Sequence, residues 1–198
     1  SYGTEVFLAK DGVLFGAVVI GDTLKDEAKS AIASLKAQKL HTVMLTGDSE
    51  SAANAIAEET GIDEVYSKLL PDEKLLKLQE QRTKHGAVMF VGDGINDAPV
   101  LAGADCGVAM GSGADAAIEA ADVVFMTSSV EAIPQAIAIG KKASRIAWQN
   151  VVFALVVKAL VMILGLLGFA NMWMAVFADT GVAMLCVLNS IRALKIQS

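Results

Sequence analysis

Residues 151–170 carry one charge, Lys158, and residues 172–191 carry one charge, Asp179. Spanning a bilayer as a helix takes about 20 predominantly apolar residues, and each run is about that long. Phe169-Ala170-Asn171 alone joins the runs, so they are expected to form a tight antiparallel hairpin in a membrane. Lys141, Lys142 and Arg145 precede the first run, and Arg192 and Lys195 follow the second. The positive-inside rule then puts both ends of the hairpin on the cytoplasmic side. Trp148 and Trp173 fall near opposite interfaces, where tryptophan is favoured.

A charge at the bilayer centre costs about 2.5–3.5 kcal/mol on the insertion scale, so two in one hairpin need a reason. Counted from Ala170, Lys158 lies roughly 18 Å back along its helix and Asp179 roughly 14 Å on. The depths differ by about 4 Å, within a lysine's reach, and the two charges are expected to pair. The pair either fixes the register of the hairpin or lines an ion path. In the second case Asp179 is a hard oxygen ligand for a divalent ion, and Lys158 is a built-in counter-ion that takes its place. Cys186, Met162, Met172, Met174 and Met184 read as packing residues, the usual role of methionine in a helix core.

Ahead of the hairpin stands a part of about 140 residues that is large enough for one core. The whole chain is 54% hydrophobic, above the roughly 45–50% of a soluble domain, and the excess lies after Trp148. Net charge is −6 and no basic run exceeds Lys141-Lys142, which argues against nucleic acid as a partner. The two cysteines, Cys106 and Cys186, fall one in each part, a pattern that fits a reducing cytosol better than a disulfide. The polar start, Ser1-Tyr2-Gly3-Thr4-Glu5, is no secretory signal. It lacks an initiator methionine, as an excised fragment would.

The polar part alternates strand-like and helix-like segments. Two strands flank Asp11-Gly12, a hairpin turn signal. After Asp22-Thr23 a helix is expected, with Leu24, Ala28, Ala31, Ile32 and Leu35 on its inner face. Val43-Met44-Leu45 reads as a buried strand running into Thr46-Gly47-Asp48. Residues 49–60 read as a helix stopped by Gly61. Pro71 opens another helix at its first turn, with Leu75, Leu76 and Leu78 inward. Residues 87–91 form an apolar strand, and 106–110 and 123–126 two more. Continuous apolar strands alternating with helices predict a parallel sheet covered on both faces. Chemistry then belongs at the carboxyl ends of the strands.

The longest motif stands at such an end: Gly92-Asp93-Gly94-Ile95-Asn96-Asp97-Ala98-Pro99. It delivers two carboxylates four positions apart in a glycine-rich turn. Glycines let backbone amides approach phosphate, and such carboxylates hold Mg²⁺ through oxygen. Thr46-Gly47-Asp48 reads two ways. Its hydroxyl suits a phosphoryl oxygen, yet the tripeptide also suits a turn in which Asp48 or Ser49 caps the next helix. Lys74, in the first turn of its helix, opposes the helix dipole; it is either solvated or faces an anion. His41 and His85 sit near element ends and receive no role.

Asp22-Thr23, Thr46-Gly47-Asp48, Pro71 with Lys74, Gly92 through Pro99, and the tract from Ala109-Met110-Gly111 to Ala121-Asp122 follow one another as in P-type ATPases. The chain resembles that family, within the haloacid-dehalogenase-like phosphotransferases, over essentially its whole length. The lysine in one span and Asp179-Thr180-Gly181 in the next resemble the zinc/cadmium/lead-exporting subgroup. The resemblance implies a haloacid-dehalogenase-like Rossmannoid α/β sheet, an incomplete phosphorylation domain, followed by the transmembrane hairpin. Residues 1–20 would end a nucleotide-binding domain, and 21–140 would be the C-terminal part of the phosphorylation domain. Residues 141–198 would hold the last two membrane helices, at about 148–169 and 172–191. Thr46, Gly47, Asp48, Lys74 and Asn96 would serve catalysis, with Thr46 and Lys74 on the phosphoryl group. Asp93 would bind Mg²⁺, with Asp97 and Asn96 completing the site. Asp179 would take the transported metal, with Lys158 as counter-ion. The implied partners are ATP, a Zn²⁺, Cd²⁺ or Pb²⁺ ion, the lipid bilayer of the plasma membrane and the missing N-terminal part of the pump.

One element of the resemblance is absent. The family's phosphorylated aspartate lies in an Asp-Lys-Thr-Gly-Thr string, which does not occur here and would lie upstream of Ser1. The chain alone is therefore expected to form no aspartyl-phosphate. Its sheet is expected to lack the central strand and to expose edges. Rival readings are a non-catalytic remnant or partner subunit, and a membrane-anchored phosphatase of the same superfamily. The phosphatase reading needs a nucleophilic aspartate at a strand end, followed by a second one two residues on.

Overall fold

The computed structural model describes residues 4–20, 24–93, 95–111, 115–169 and 171–196. Expectations resting on Asp22, Thr23, Gly94, Ala170 and positions 112–114 lie outside the described residues. The chain divides into two compact units, 1–134 and 135–198.

The first unit opens with an antiparallel hairpin of β1 (Thr4–Lys10) and β2 (Val13–Ile20). Asp11 and Gly12 both take left-handed φ, 52° and 80°, the geometry an Asp-Gly turn favours. Phe7, Leu8, Leu14 and Phe15 are exposed, because a two-stranded ribbon has no interior of its own.

Helix α1 (Ala28–Ala37) buries Ala28, Ala31 and Leu35, the face its spacing predicts. Strand β3 (Val43–Leu45) leads to α2 (Glu50–Thr60). Ser49 caps α2, its hydroxyl accepting the Ala52 N–H at 3.4 Å, and Gly61 ends it at φ 79°. Strand β4 (Glu64–Tyr66) has no counterpart in the sequence reading; three residues that begin with a glutamate give no apolar run. Helix α3 (Pro71–His85) is capped by the Glu73 carboxylate, which accepts the Leu70 N–H at 2.8 Å. Leu78 is fully buried and Leu75 half-buried, but Leu76, expected inward, is 64% exposed. At about 100° per residue it falls outside the stripe that Leu75 and Leu78 share.

Strand β5 (Met89–Gly92) starts two residues later than the apolar run. A 3₁₀ turn (Ile95–Asp97) feeds α4 (Ala98–Gly103), followed by β6 (Cys106–Met110), α5 (Asp115–Ala120) and β7 (Val123–Phe125). An added Cβ at Gly107 would lie 2.5 Å from the Leu101 carbonyl oxygen, so only glycine lets α4 pack this closely on β6.

All strands after the hairpin pair in parallel, but in two groups: β3 with β4, and β5 with β6 and β7. The central strand β6 carries the buried core residues Val108, Ala109 and Met110. Strand β3, expected to be buried, is half-buried throughout, and Met89 on β5 is exposed. Both have a hydrogen-bonded neighbour on one side only among the described residues, and an unpaired edge leaves side chains open. Helix α3 ties the groups together, with Gln81 bonded to Glu64 and Tyr66, and Arg82 to Asp105 and the Gly103 carbonyl.

Helix α6 (Ala132–Leu166) runs unbroken for 35 residues, starting well before the span expected from about residue 148. Nothing in its sequence stops a helix at the water boundary; Pro134 lies in its first turn, where proline is tolerated. It ends at Gly168, φ 76°, with the Phe169 N–H donating to the Leu164 carbonyl at 2.9 Å, a left-handed C-terminal cap. Asn171 caps the next helix, accepting the Met174 N–H at 3.0 Å. That helix is α7 (Met172–Val176), a π turn (Phe177–Gly181), α8 (Val182–Ser190) and a 3₁₀ turn (Ile191–Ile196). An Asn150 clamp joins the two arms: its amide donates to the Cys186 carbonyl and Ser190 hydroxyl, and its oxygen accepts from Asn189 at 2.8 Å. Both cysteines are free.

Candidate functional site

Thr46 and Asp48 follow the end of β3. The Thr46 hydroxyl donates to Asp48 Oδ2 at 2.7 Å, and the Asp48 N–H donates back to that hydroxyl at 3.1 Å. Between them, an added Cβ at Gly47 would meet only the Leu69 carbonyl, at 3.5 Å. This ordinary contact leaves the strand end open to an approaching group. The 68–70 loop is stitched to the same turn: Lys68 N–H reaches the Asp48 carbonyl at 2.9 Å and Leu69 N–H the Thr46 carbonyl at 3.0 Å. Leu70 is the N-terminal cap of α3, so this loop joins the Thr46 turn to the helix that carries Lys74 in its first turn.

Lys74 is the residue that opposes its helix dipole, and the structure gives it an anion. Its ammonium lies 2.8 Å from Asp97 Oδ1, with side-chain exposures of 16% and 13%. Asp97 closes the 3₁₀ turn after β5, and Asn96 and Asp93 stand exposed on the same turn. Gly92 makes this arrangement possible. A Cβ there would lie 2.9 Å from Asp97 Cβ and 3.1 Å from its Oδ2, so any other residue would push that carboxylate off the strand end. The result is two polar strand ends: a hydroxyl and a carboxylate after β3, and two carboxylates and an amide after β5, where the Lys74 ammonium meets Asp97. Hard oxygen donors of this kind fit Mg²⁺, and the ammonium and hydroxyl fit phosphoryl oxygens.

The second charged pair lies in the 135–198 unit. Lys158 Nζ is 3.0 Å from Asp179 Oδ1, the pairing that the depth argument predicts. Asp179 sits in the π turn, which sequence reasoning did not reveal. Gly181 admits that turn: a Cβ there would meet the Phe177 ring at 2.8 Å. Ala178 and Val182, on either side, are buried, which fixes the turn while Asp179 is 76% exposed at its side chain. Both arms are long and apolar enough to cross a membrane, 132–166 and 172–194. Sequence reading also passed over Asn150, whose signal was an amide just before the apolar run of its helix.

Parallel strands with a Thr-Gly-Asp turn at one strand end and a lysine-clamped acidic turn at another make an α/β unit with its polar groups at the strand ends, here followed by an apolar helical hairpin. The chain belongs to the haloacid dehalogenase-like hydrolase family, whose model matches residues 1–105. Its curated homologues are cadmium- and zinc-transporting ATPases. It is 48% identical to the cadmium, zinc and cobalt-transporting ATPase of Bacillus subtilis (strain 168), over 99% of this chain and 29% of that protein. It is also 48% identical to the zinc-transporting ATPase of Synechocystis sp. (strain ATCC 27184 / PCC 6803 / Kazusa), over 98% of this chain and 27% of that one. A crystal structure of a zinc-transporting PIB-type ATPase in the E2.Pi state superposes with a TM-score of 0.88 at 37% identity, covering 96% of this chain and 31% of that one. The chain thus spans less than a third of these relatives' length.

Proposed function

We propose that this chain is the C-terminal segment of an ATP-driven exporter of Zn²⁺, Cd²⁺ or Pb²⁺ that works through an aspartyl-phosphate intermediate. The observation that carries the reading is the Lys74–Asp97 pair, held half-buried after β5 by a helix whose leading loop is bonded to the Thr46 turn. The near-complete similarity to cadmium- and zinc-transporting ATPases supports it.

The phosphorylated aspartate belongs to a segment upstream of Ser1. The edges of β3 and β5 that have no partner among the described residues suit a strand from that segment, which would bring the nucleophile to the ends where Thr46 and Asp48 stand. Residues 1–20 are the end of a nucleotide-binding domain, residues 21–140 the C-terminal part of the phosphorylation domain, and 141–198 the last two membrane helices. The apolar faces of the β1–β2 hairpin pack on the rest of the nucleotide domain. Asp93 and Asp97, with Asn96, hold Mg²⁺, which when bound supplies positive charge against the phosphoryl oxygens. Lys74 and the Thr46 hydroxyl position the phosphoryl group, and Asp48 orients that hydroxyl through their 2.7 Å hydrogen bond. Positioning and charge are the main needs of phosphoryl transfer, whose transition state is loose.

In the hairpin, Asp179 is a ligand of the transported ion and Lys158 the counter-ion that occupies it after release. An intramembrane ionisable pair commonly lines an ion path, and a π turn is frequent at functional positions in helices. The host is the plasma membrane, with the soluble part and C-terminus in the cytoplasm, as Lys141, Lys142, Arg145, Arg192 and Lys195 favour.

The test is made on the full-length protein with γ-labelled ATP. A Zn²⁺-dependent, acid-stable phosphoenzyme is expected, and Asp93→Asn should abolish it. Absence of the phosphoenzyme, or a normal level in the Asp93→Asn protein, refutes the reading.

A further inference from the structure

The only two histidines of the chain are brought together by elements far apart in sequence. His41 precedes β3 and His85 ends α3, and their rings stack with centroids 4.4 Å apart and planes 24° apart. Glu64, the first residue of β4, faces both. Its Oε1 is 3.1 Å from His41 Nε2 and 3.9 Å from His85 Nε2. One ligand atom from each of the three lies within 4.8 Å of the other two. Tetrahedral Zn²⁺ bound at about 2.0–2.1 Å sets neighbouring donors about 3.3 Å apart, so small side-chain shifts close this triangle on one ion.

The surroundings orient the ligands. Glu64 Oε2 is held by the Tyr66 hydroxyl at 2.9 Å and the Gln81 amide at 3.1 Å, which turns Oε1 toward the histidines. Asp63 Oδ2 faces His41 Nδ1 from 3.7 Å. It is itself fixed by the Thr42 N–H at 3.0 Å and hydroxyl at 2.7 Å. A carboxylate behind each ligating imidazole and hydrogen bonds behind a ligating carboxylate are what metal sites use to set orientation. Among the described residues the cation that competes for Oε1 is Lys84, whose ammonium lies 2.6 Å away on a half-exposed side chain that can swing into solvent.

We propose that His41, Glu64 and His85 form a binding site for one divalent cation of the Zn²⁺ type, at the amino ends of β3 and β4. Thr46 and Asp48 occupy the opposite, carboxyl end of β3, and Asp179 lies in the other unit, so the site is separate from the proposed phosphoryl and transport sites and does not depend on them. Two imidazoles and one carboxylate, with a fourth position open to water, are a Zn²⁺ donor set. The bound ion ties the α1–β3 connection, β4 and the end of α3 together, and so stabilises the folded unit by an amount that rises with the logarithm of free Zn²⁺ above its dissociation constant.

The test uses the full 198-residue chain in detergent micelles, in an Asp179→Asn background that removes the hairpin's carboxylate. Zn²⁺ is titrated by calorimetry over an excess of Mg²⁺, which occupies the Asp93 and Asp97 carboxylates, and circular dichroism checks each variant's fold. One saturable site is expected. His85→Ala and Glu64→Gln should each weaken it at least about tenfold, the scale on which even supporting residues of metal sites act. Lys84→Ala should tighten it, because the competing ammonium is gone; a merely structural charge cluster would not respond so. Zn²⁺ binding unchanged in the His41→Ala/His85→Ala double variant, or binding weakened by Lys84→Ala in a folded chain, overturns the proposal.

Discussion

The chain carries two lysine–aspartate pairs of nearly equal length, Lys74–Asp97 at 2.8 Å and Lys158–Asp179 at 3.0 Å, in opposite surroundings. In the first, the fold itself covers both side chains, leaving 16% and 13% exposed; in the second, 53% and 76% remain exposed. The first pair is locked by a helix start and a glycine-relieved turn, and needs nothing from outside to hold its geometry. The second is presented on a π turn, with its polar face left to whatever surrounds the hairpin. A charge that a protein shields is suited to positioning a reactant. A charge that it presents in an apolar setting is suited to exchanging one partner for another.

Breaking the first pair should therefore stop chemistry, and breaking the second should stop coupling. In the full-length protein, Lys74→Ala is expected to lower phosphoenzyme formation about a hundredfold or more, the scale for one lost electrostatic group at a transferring centre. Single-turnover labelling checks this; an unchanged rate removes Lys74 from the site. Asp179→Ala is expected to leave the soluble unit folded and reduce ATP turnover to its metal-independent level. The exchange Lys158→Asp/Asp179→Lys sharpens the contrast. A pair that only fixes register is rebuilt by the exchange and regains metal-stimulated turnover. A pair in which Asp179 is the ligand stays inactive, the outcome expected here.

The two pairs also differ in how they could be read. Lys158 and Asp179 were legible because a charge in an apolar run is conspicuous, and equal depth follows from helix rise alone. Lys74 gave only the hint of a cation at a helix start; its partner, Asp97, is set by the α3–β5–3₁₀ path, which no local pattern encodes. Helices with caps or regular stripes, α1, α2 and α3, were legible, apart from Leu76. Strand β4 was not, since its three residues show neither alternation nor an apolar run. Exposed sheet edges were expected from the missing string, but the division of the parallel strands into two groups and the half-burial of β3 were not, because periodicity reports a face and not an edge. His41 and His85 were passed over because their meeting depends on β3 pairing with β4.

Stability should differ between the units in the same sense. Leu78, fully buried on α3, should cost about 2–5 kcal/mol when changed to alanine, read by denaturant unfolding of the soluble signal. Asn150→Ala removes the clamp to Cys186, Asn189 and Ser190. Interhelical hydrogen bonds in membranes average only about 0.6 kcal/mol each, so losing the three should cost the hairpin at most about 2 kcal/mol, measured by detergent-induced unfolding. A larger loss from Asn150→Ala than from Leu78→Ala would reverse the contrast.

The smallest effect is expected at Asp105, which closes the side of the soluble unit where α3 meets β6. The Val88 N–H at 2.9 Å and the Arg82 guanidinium at 2.8 Å hold its carboxyl below the ordinary value of 3.8. A carboxyl depressed in the folded state binds its proton more readily when unfolded. Its stabilising share is therefore complete above about pH 4 and is lost as pH falls through the depressed value. Asp105→Asn should leave a chain slightly less stable at neutral pH and with a shallower loss of stability in acid. The group is well exposed, which screens the interaction and keeps the change small. Thermal unfolding at several pH values below neutrality reads both quantities. Parallel curves for the two proteins throughout the acid range would show that Arg82 and Val88 gain nothing from the charge on Asp105.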